Sequence, residues 1–174
     1  MSPTSADATD PTTGVRQIAV AGNPNSGKTS IFNQLTGLRQ KVGNYPGVTV
    51  EKREGRLAGT DVVLLDLPGT YSLSARSPDE EIARDLLLGR IQGIDRPDAV
   101  LLVIDSANLE RNLYLACQIL EFGTPVLIAC NMIDVARQLG RHVDCEALSK
   151  ELGVPVIPTV GNTGEGIAAL RRAL

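Results

Sequence analysis

Only one histidine, His142, occurs in 174 residues, so a mechanism that needs a histidine pair is excluded. Cysteine is nearly as scarce. Cys117, Cys130 and Cys145 are odd in number, widely spaced and without a C-x-x-C pair. That usage excludes a disulfide framework and a paired-thiolate metal motif, and reads as reduced cytosolic thiols filling a core or a helix. No apolar run approaches the ~20 residues of a membrane-spanning helix. The longest runs, 99–104 and 126–130, are strand-sized, which predicts a soluble chain. A basic excess is also missing: 17 Lys and Arg face 20 Asp and Glu, the net charge is −3, and no basic cluster advertises a nucleic-acid groove. The N-terminus lacks the basic and apolar regions of a signal peptide. Residues 1–15, mostly Ser, Thr, Asp, Ala and Pro without apolar period, are expected to form a disordered leader.

What is present is 43% hydrophobic residues, enough for one good core, in a pattern that alternates β-branched runs with helical spacing. Strands are expected at 16–21, 50–57, 61–66, 98–104, 125–130 and 155–159, and helices at 28–37, 79–89, 109–121, 144–152 and 165–174. The alternation predicts an α/β domain over 16–174, with a six-stranded, mostly parallel sheet and helices on both faces. Glu51-Lys52-Arg53-Glu54-Gly55-Arg56-Leu57 is too polar for a buried parallel strand, and a short Gly59-Thr60 connection joins it to the next run. It is therefore expected as an antiparallel edge strand. Ser77-Pro78-Asp79-Glu80 supplies a capping serine, a proline at the first helical position and a glutamate at the third.

Chemistry enters at Gly22-Asn23-Pro24-Asn25-Ser26-Gly27-Lys28-Thr29, directly after the apolar run 17–21. A strand that ends in a glycine-permissive loop and opens a helix is the P-loop arrangement, whose amides curl round a β-phosphate. Lys28 is placed to bridge the β- and γ-phosphates, and the Thr29 hydroxyl to ligate Mg²⁺; Ser30, next in the helix, is grouped with them. The P-loop alone does not choose between ATP and GTP. Three later segments do. Asp66-Leu67-Pro68-Gly69 ends a strand, where Asp66 can reach Mg²⁺ through water and the Gly69 amide can sense a γ-phosphate. Asn131-Met132-Ile133-Asp134 follows another strand and resembles the guanine-reading N-K-x-D segment. Asp134 would accept from guanine N1–H and the N2 amine, groups that adenine does not offer. Met132 stands where a lysine usually lies along the nucleotide, a change expected to weaken binding. Thr49, on the Gly/Pro-rich segment 44–51, is placed to close on Mg²⁺ and the γ-phosphate and to let go after hydrolysis.

Together with Asn44–Glu51, the run Asp66-Leu67-Pro68-Gly69-Thr70-Tyr71-Ser72-Leu73 and the segment Asn108–Tyr114, these motifs resemble the cytosolic G domain of the ferrous iron transport protein B (FeoB) family over 16–174. The resemblance implies a P-loop GTPase fused to a helical module and a polytopic membrane domain that imports Fe²⁺. Neither module stands in this chain, which is expected to be an excised fragment. It implies a place on the cytoplasmic face of the bacterial inner membrane, with GTP/GDP and Mg²⁺ as ligands, and leaves room for a homo-oligomer. The family also holds K⁺ beside the phosphates through an asparagine at the position of Asn25, with carbonyls from the loop before Thr49.

Thr70 stands where many small GTPases keep a water-positioning glutamine, so slow, potassium-stimulated hydrolysis through Asn25, Lys28, Thr49 and Gly69 is expected. Arg39, Arg53 and Arg76 flank the mobile loops, but none is evident as an arginine finger. The loop 159–164 departs from the family's base-contacting pattern, with Val160 and Gly161 the residues nearest it. An RNA- or ribosome-associated GTPase and a nucleotide sensor with negligible turnover are the competing readings. The acidic balance argues against the first.

Overall fold

The computed structural model describes residues 16–174, so the expected leader at 1–15 lies outside the described residues. Seven strands form one sheet in the order β2-β3-β4-β1-β5-β6-β7. They are β1 (Gln17–Gly22), β2 (Gln40–Asn44), β3 (Glu51–Arg56), β4 (Val63–Asp66), β5 (Ala99–Asp105), β6 (Val126–Asn131) and β7 (Val156–Pro158). The five from β4 to β7 run parallel, while β2 and β3 pair antiparallel at one edge. The α/β class and the antiparallel direction of 50–57 stand as expected, but β2 rather than this segment forms the edge of the sheet.

The strand count differs by one. β2 reads Gln-Lys-Val-Gly-Asn, with four of its five residues exposed, and it has no apolar face to announce it. It is held by the ladder to β3 rather than by burial. The polar character of β3 has the same origin, because only Gly55 is buried there. A Cβ on Gly55 would come within 2.7 Å of Thr36 Cγ2, so the absence of a side chain lets the end of the first helix lie on the strand.

Six α-helices connect the strands: α1 (Lys28–Thr36), α2 (Pro78–Leu87), α3 (Leu109–Leu120), α4 (Ile133–Gln138), α5 (Cys145–Leu152) and α6 (Ile167–Ala173). Side chains alternate across each strand, and this splits the core in two. Leu65, Leu102, Ile104 and Ile128 face α2, α3 and α5, whereas Val20, Leu64, Leu101 and Val103 face Ile31, Phe32 and Leu35 of α1 and Leu170 of α6. Helices thus cover both faces. β1 lies between β4 and β5 with the following helices leaving to opposite faces, which opens a crevice at the carboxyl ends of the strands.

Helix α4 has no counterpart among the expected helices. It is six residues long and buries only Ile133 and Ala136, too few for a helical period to register. The cap at Ser77 is as expected, its hydroxyl accepting from Glu80 N at 3.3 Å. The Glu80 carboxylate reaches back one residue further than a capping box requires, accepting from Arg76 N and Ser72 Oγ. That ties the segment after Gly69 to the start of α2.

Candidate nucleotide-binding site

β1 delivers the chain into the crevice at Gly22. A Cβ there would lie 2.6 Å from the Val103 carbonyl oxygen, so the close approach to β5 requires glycine. Asn25 and Gly27 take left-handed backbone conformations, with φ of 64° and 83°. A Cβ on Gly27 would lie 2.2 Å from Asn131 Nδ2. Helix α1 then starts at Lys28 without a side-chain cap on Gly27, which leaves its first amides pointing into the crevice. Asn23 Oδ1 and Ser26 Oγ, both in this loop, are buried without a hydrogen-bond partner among the described residues. A curled loop, uncapped amides and an ammonium group fit a polyphosphate.

A cavity of about 590 Å³ lies beside the loop, lined among others by Lys28, Thr29, Thr49, Arg53, Asp66 and Gly69. A larger hollow, about 1060 Å³, lies away from this chemistry, between the end of α1 and the β3–β4 turn. The smaller one gathers the P-loop, the 44–51 segment and the D-x-x-G turn from three separate parts of the chain. Its hydroxyl and carboxylate oxygens suit Mg²⁺, which prefers hard ligands and keeps few protein contacts. Within it Lys28 Nζ and Asp66 Oδ1 form an ion pair, with side chains only 10% and 13% exposed. Burial raises the Asp66 carboxyl above its ordinary value, and Lys28 opposes the rise.

Tyr45 is a member of this site that the sequence motifs did not single out. Its ring is buried, and its hydroxyl donates to the Asp66 carbonyl at 3.0 Å. Its backbone closes a turn through Tyr45 N to Val50 O at 3.0 Å and Val48 N to Tyr45 O at 3.3 Å. Thr49 is exposed on that turn. Tyr45 therefore anchors the Thr49 turn to the end of β4. A lone tyrosine in a polar Gly/Pro segment was the available signal.

Asp66-Leu67-Pro68-Gly69 is held by Leu67 N donating to Val20 O at 2.9 Å and Thr70 N to Gly22 O at 3.2 Å. Gly69 packs on Pro24, where a Cβ would come 3.3 Å from Pro24 Cα. Thr70 is buried. Beyond it, Arg111 stacks over the Tyr71 ring at 3.9 Å, and Leu73 N donates to Gln118 Oε1 at 2.8 Å. Helix α3 therefore carries the segment after the D-x-x-G turn. Of the three flanking arginines only Arg53 lines the cavity, and it pairs with Glu51.

The third part of the site is organised by Asn131, whose side chain is wholly engaged with protein. Its Nδ2 donates to Ser26 O at 3.0 Å, and its Oδ1 accepts from Gly161 N at 2.9 Å and Thr159 Oγ1 at 3.2 Å. It joins the P-loop, the N-x-x-D turn and the 159–164 loop. Met132, with φ of 60°, turns the chain into α4 and places Asp134, half-buried, in the first turn. Met132 Cε lies against Gly27, 3.4 Å from where a Cβ would stand, so the thioether chain occupies the flank of the P-loop. Ser30 Oγ donates to Asn162 Oδ1 at 3.1 Å, and Gln34 Nε2 to Gly161 O at 3.1 Å. Ser30 thus docks the loop that carries Val160 and Gly161 onto α1.

Similarity to known proteins follows the same boundaries. The family model described as ferrous iron transport protein B matches residues 16–174. The Fe(2+) transporter FeoB of Salmonella typhimurium is 52% identical over 163 residues, which cover 90% of this chain and 20% of that protein. The chain therefore spans about a fifth of the length of the curated relatives it matches. Among solved structures, an S. thermophilus NFeoB mutant bound to mGDP is 48% identical with a TM-score of 0.86, covering 91% of this chain and 60% of that one. The G domain of the T. maritima FeoB iron transporter is 49% identical with a TM-score of 0.78, covering 90% of this chain and 94% of that one. The chain belongs to the ferrous iron transport protein B family, of which it is the G domain.

Proposed function

We propose that this chain binds and hydrolyses GTP and, as part of a longer protein on the cytoplasmic face of the bacterial inner membrane, regulates Fe²⁺ uptake by an attached membrane domain. The observation that carries the reading is the single cavity on which Lys28, Thr29, Thr49, Asp66 and Gly69 converge, at the carboxyl ends of the parallel strands. The guanine-bound relatives support the choice of nucleotide.

Asn23, Asn25, Ser26 and Gly27 offer backbone N–H groups to the β-phosphate, Pro24 shapes the loop without donating, and Lys28 neutralises the β- and γ-oxygens. Thr29, Thr49 and Asp66, the last through water, would hold Mg²⁺, which would supply positive charge beside the phosphates. Gly69 offers its amide to the γ-phosphate, and Asp134 reads the base. Asn25 would hold K⁺, which would add positive charge beside the phosphates. Thr70 is buried with its amide on Gly22, and its short side chain lacks the carboxamide by which a glutamine orients an attacking water. That favours a slow reaction in which electrostatic stabilisation replaces a positioning glutamine.

The Tyr45 turn, whose residues Thr49 and Val50 line the cavity, and segment 70–73, which follows the cavity-lining Gly69 and is supported by α3, are the elements that would carry nucleotide state outward. Hydrolysis measured in potassium and in sodium buffers tests the chemistry. Faster turnover in potassium that is lost in Asn25→Ala supports it, and equal rates in the two salts refute the role given to Asn25.

A further inference from the structure

Strand β2 ends the sheet, and among the described residues it pairs with β3 alone. The ladder fixes where its free backbone groups point. Asn44 stands opposite Glu51, and one step further Tyr45 N donates to Val50 O at 3.0 Å. Bonded pairs alternate along an antiparallel ladder, so Lys41 and Gly43 bond to Glu54 and Lys52. Gln40, Val42 and Asn44 therefore turn their N–H and C=O groups away from β3. The far side of β3 agrees: Leu57 N donates to Val62 O at 2.9 Å, which gives Gly55 and Arg53 to β4 and leaves Glu54 and Lys52 for β2. The edge is open as well as unpaired. Val42 is 64% exposed, and a Cβ on Gly43 would meet nothing within 4 Å.

We propose that β2 is a self-association edge, on which a second copy of this chain adds its own β2 antiparallel and joins the two sheets into one. Gln40-Lys41-Val42-Gly43-Asn44 matches itself about its centre. A two-fold axis at Val42 sets that residue against the second copy's Val42, and Gln40 against its Asn44, so every outward N–H and C=O finds a partner. Moving the axis by one residue leaves Gln40 or Asn44 unpaired. A lysine on an edge strand blocks pairing when it meets a like charge. In this register Lys41 meets Gly43 of the second copy instead, and the two exposed valines cover each other. The occupant is a second copy because the same five residues supply both halves with no charge set directly against its like.

The strand is short, so the contact belongs to the weak, transient class of interface. Past Asn44 the ladder runs through Tyr45 and Val50 into the Thr49 turn, and Thr49 and Val50 line the cavity. A strand added outside β2 therefore braces that turn and slows release of a bound nucleotide. The effect on nucleotide rests on the guanine-binding reading above; the pairing does not.

The test uses the 174-residue chain carrying Cys117→Ser, which removes the exposed thiol. Across the axis Lys41 and the second copy's Gly43 form a non-bonded pair with Cα atoms ~4.5 Å apart, within reach of a disulfide. Two copies of Lys41 lie diagonally, ~7–8 Å apart, which is too far. Under mild oxidation a mixture of Lys41→Cys and Gly43→Cys chains should therefore link several-fold faster than either variant alone. Sedimentation equilibrium of the chain without these cysteines should show a reversible dimer at submillimolar concentration. Val42→Lys sets like charges against each other, and Val42→Pro removes an outward N–H; both spare the bonds to β3, and each should weaken the dimer several-fold. Equal linking of mixed and single variants, a monomer at every concentration up to about 1 mM, or a dimer indifferent to both Val42 substitutions overturns the proposal. The linked pair should release a fluorescent GDP analogue more slowly than the same chains after dithiothreitol, and equal release overturns the brace. Chains that bind no GDP defeat the guanine reading instead, and the linkage still decides the pairing.

Discussion

Lys28 and Asp66 are ion-paired across the crevice, the ammonium on the first residue of α1 and the carboxylate on the last residue of β4. These are the two side chains assigned to the phosphates and, through water, to Mg²⁺. On the proposed reading, binding of Mg²⁺ and nucleotide would exchange one charge pairing for another, with Lys28 turning to phosphate and Asp66 to the metal shell. A buried pair exchanged for ligand contacts costs less than desolvating either charge alone.

The exchange has a pH signature. Burial holds the Asp66 carboxyl above 3.8 in the folded chain, with Lys28 opposing. A raised folded value means that this group's contribution to stability is fully present below 3.8 and lost as pH rises through the raised value. Mg²⁺ needs the ionised form, so binding releases a proton in that window. Titration calorimetry with Mg²⁺ and GDP should show weakening affinity as pH falls from neutral toward the raised value. Asp66→Asn should bind about tenfold or more weakly at neutral pH and lose that dependence.

Tyr45→Phe removes the bond from the hydroxyl to the Asp66 carbonyl and keeps the ring. Urea denaturation should show a loss of ~1 kcal/mol, the usual worth of such a bond. Burial, followed by Asp66 and Glu54, raises the phenol above 10.0. Its stabilisation is therefore present below 10.0 and lost as pH rises above it. The parent chain should weaken over that range more steeply than Tyr45→Phe. Release of a fluorescent GDP analogue should be faster from the variant, because the Thr49 turn loses its anchor.

Asn131→Ala leaves Ser26 O and Gly161 N without their shared partner. Each buried group left unpaired costs ~1–3 kcal/mol, so denaturation should register a loss in the upper part of that range. GDP affinity should fall as well, although Asn131 spends its side chain on protein. Unchanged stability would remove the joint role.

Much of this arrangement was legible in the chain. The P-loop, Asp66–Gly69 and Asn131–Asp134 each follow an apolar β-branched run, and such runs are what the core selects. The antiparallel 50–57 strand was legible through its charges. β2 was not, because Gln40–Asn44 is exposed and held by backbone bonds that any sequence can make. α4 escaped because its two buried side chains define no period. Asn131 was readable as a base-segment residue, but its partners come from 105 and 30 residues away, a relation only the fold creates.

Whether this crevice is a guanine-specific GTPase site read by Asp134 is decided by Asp134→Asn. Binding and turnover of GTP and xanthosine triphosphate should be compared in the parent and the variant, with Mg²⁺ and K⁺ present. Asparagine presents an N–H toward the base where the carboxylate accepts, and xanthine offers a carbonyl at the position of the guanine amine. The variant should lose affinity for GTP by about a hundredfold or more, since a charge-assisted hydrogen bond is worth up to ~3 kcal/mol, and should turn over xanthosine triphosphate instead. GTP affinity and turnover left unchanged by the substitution would rule out Asp134 as the reader of the base.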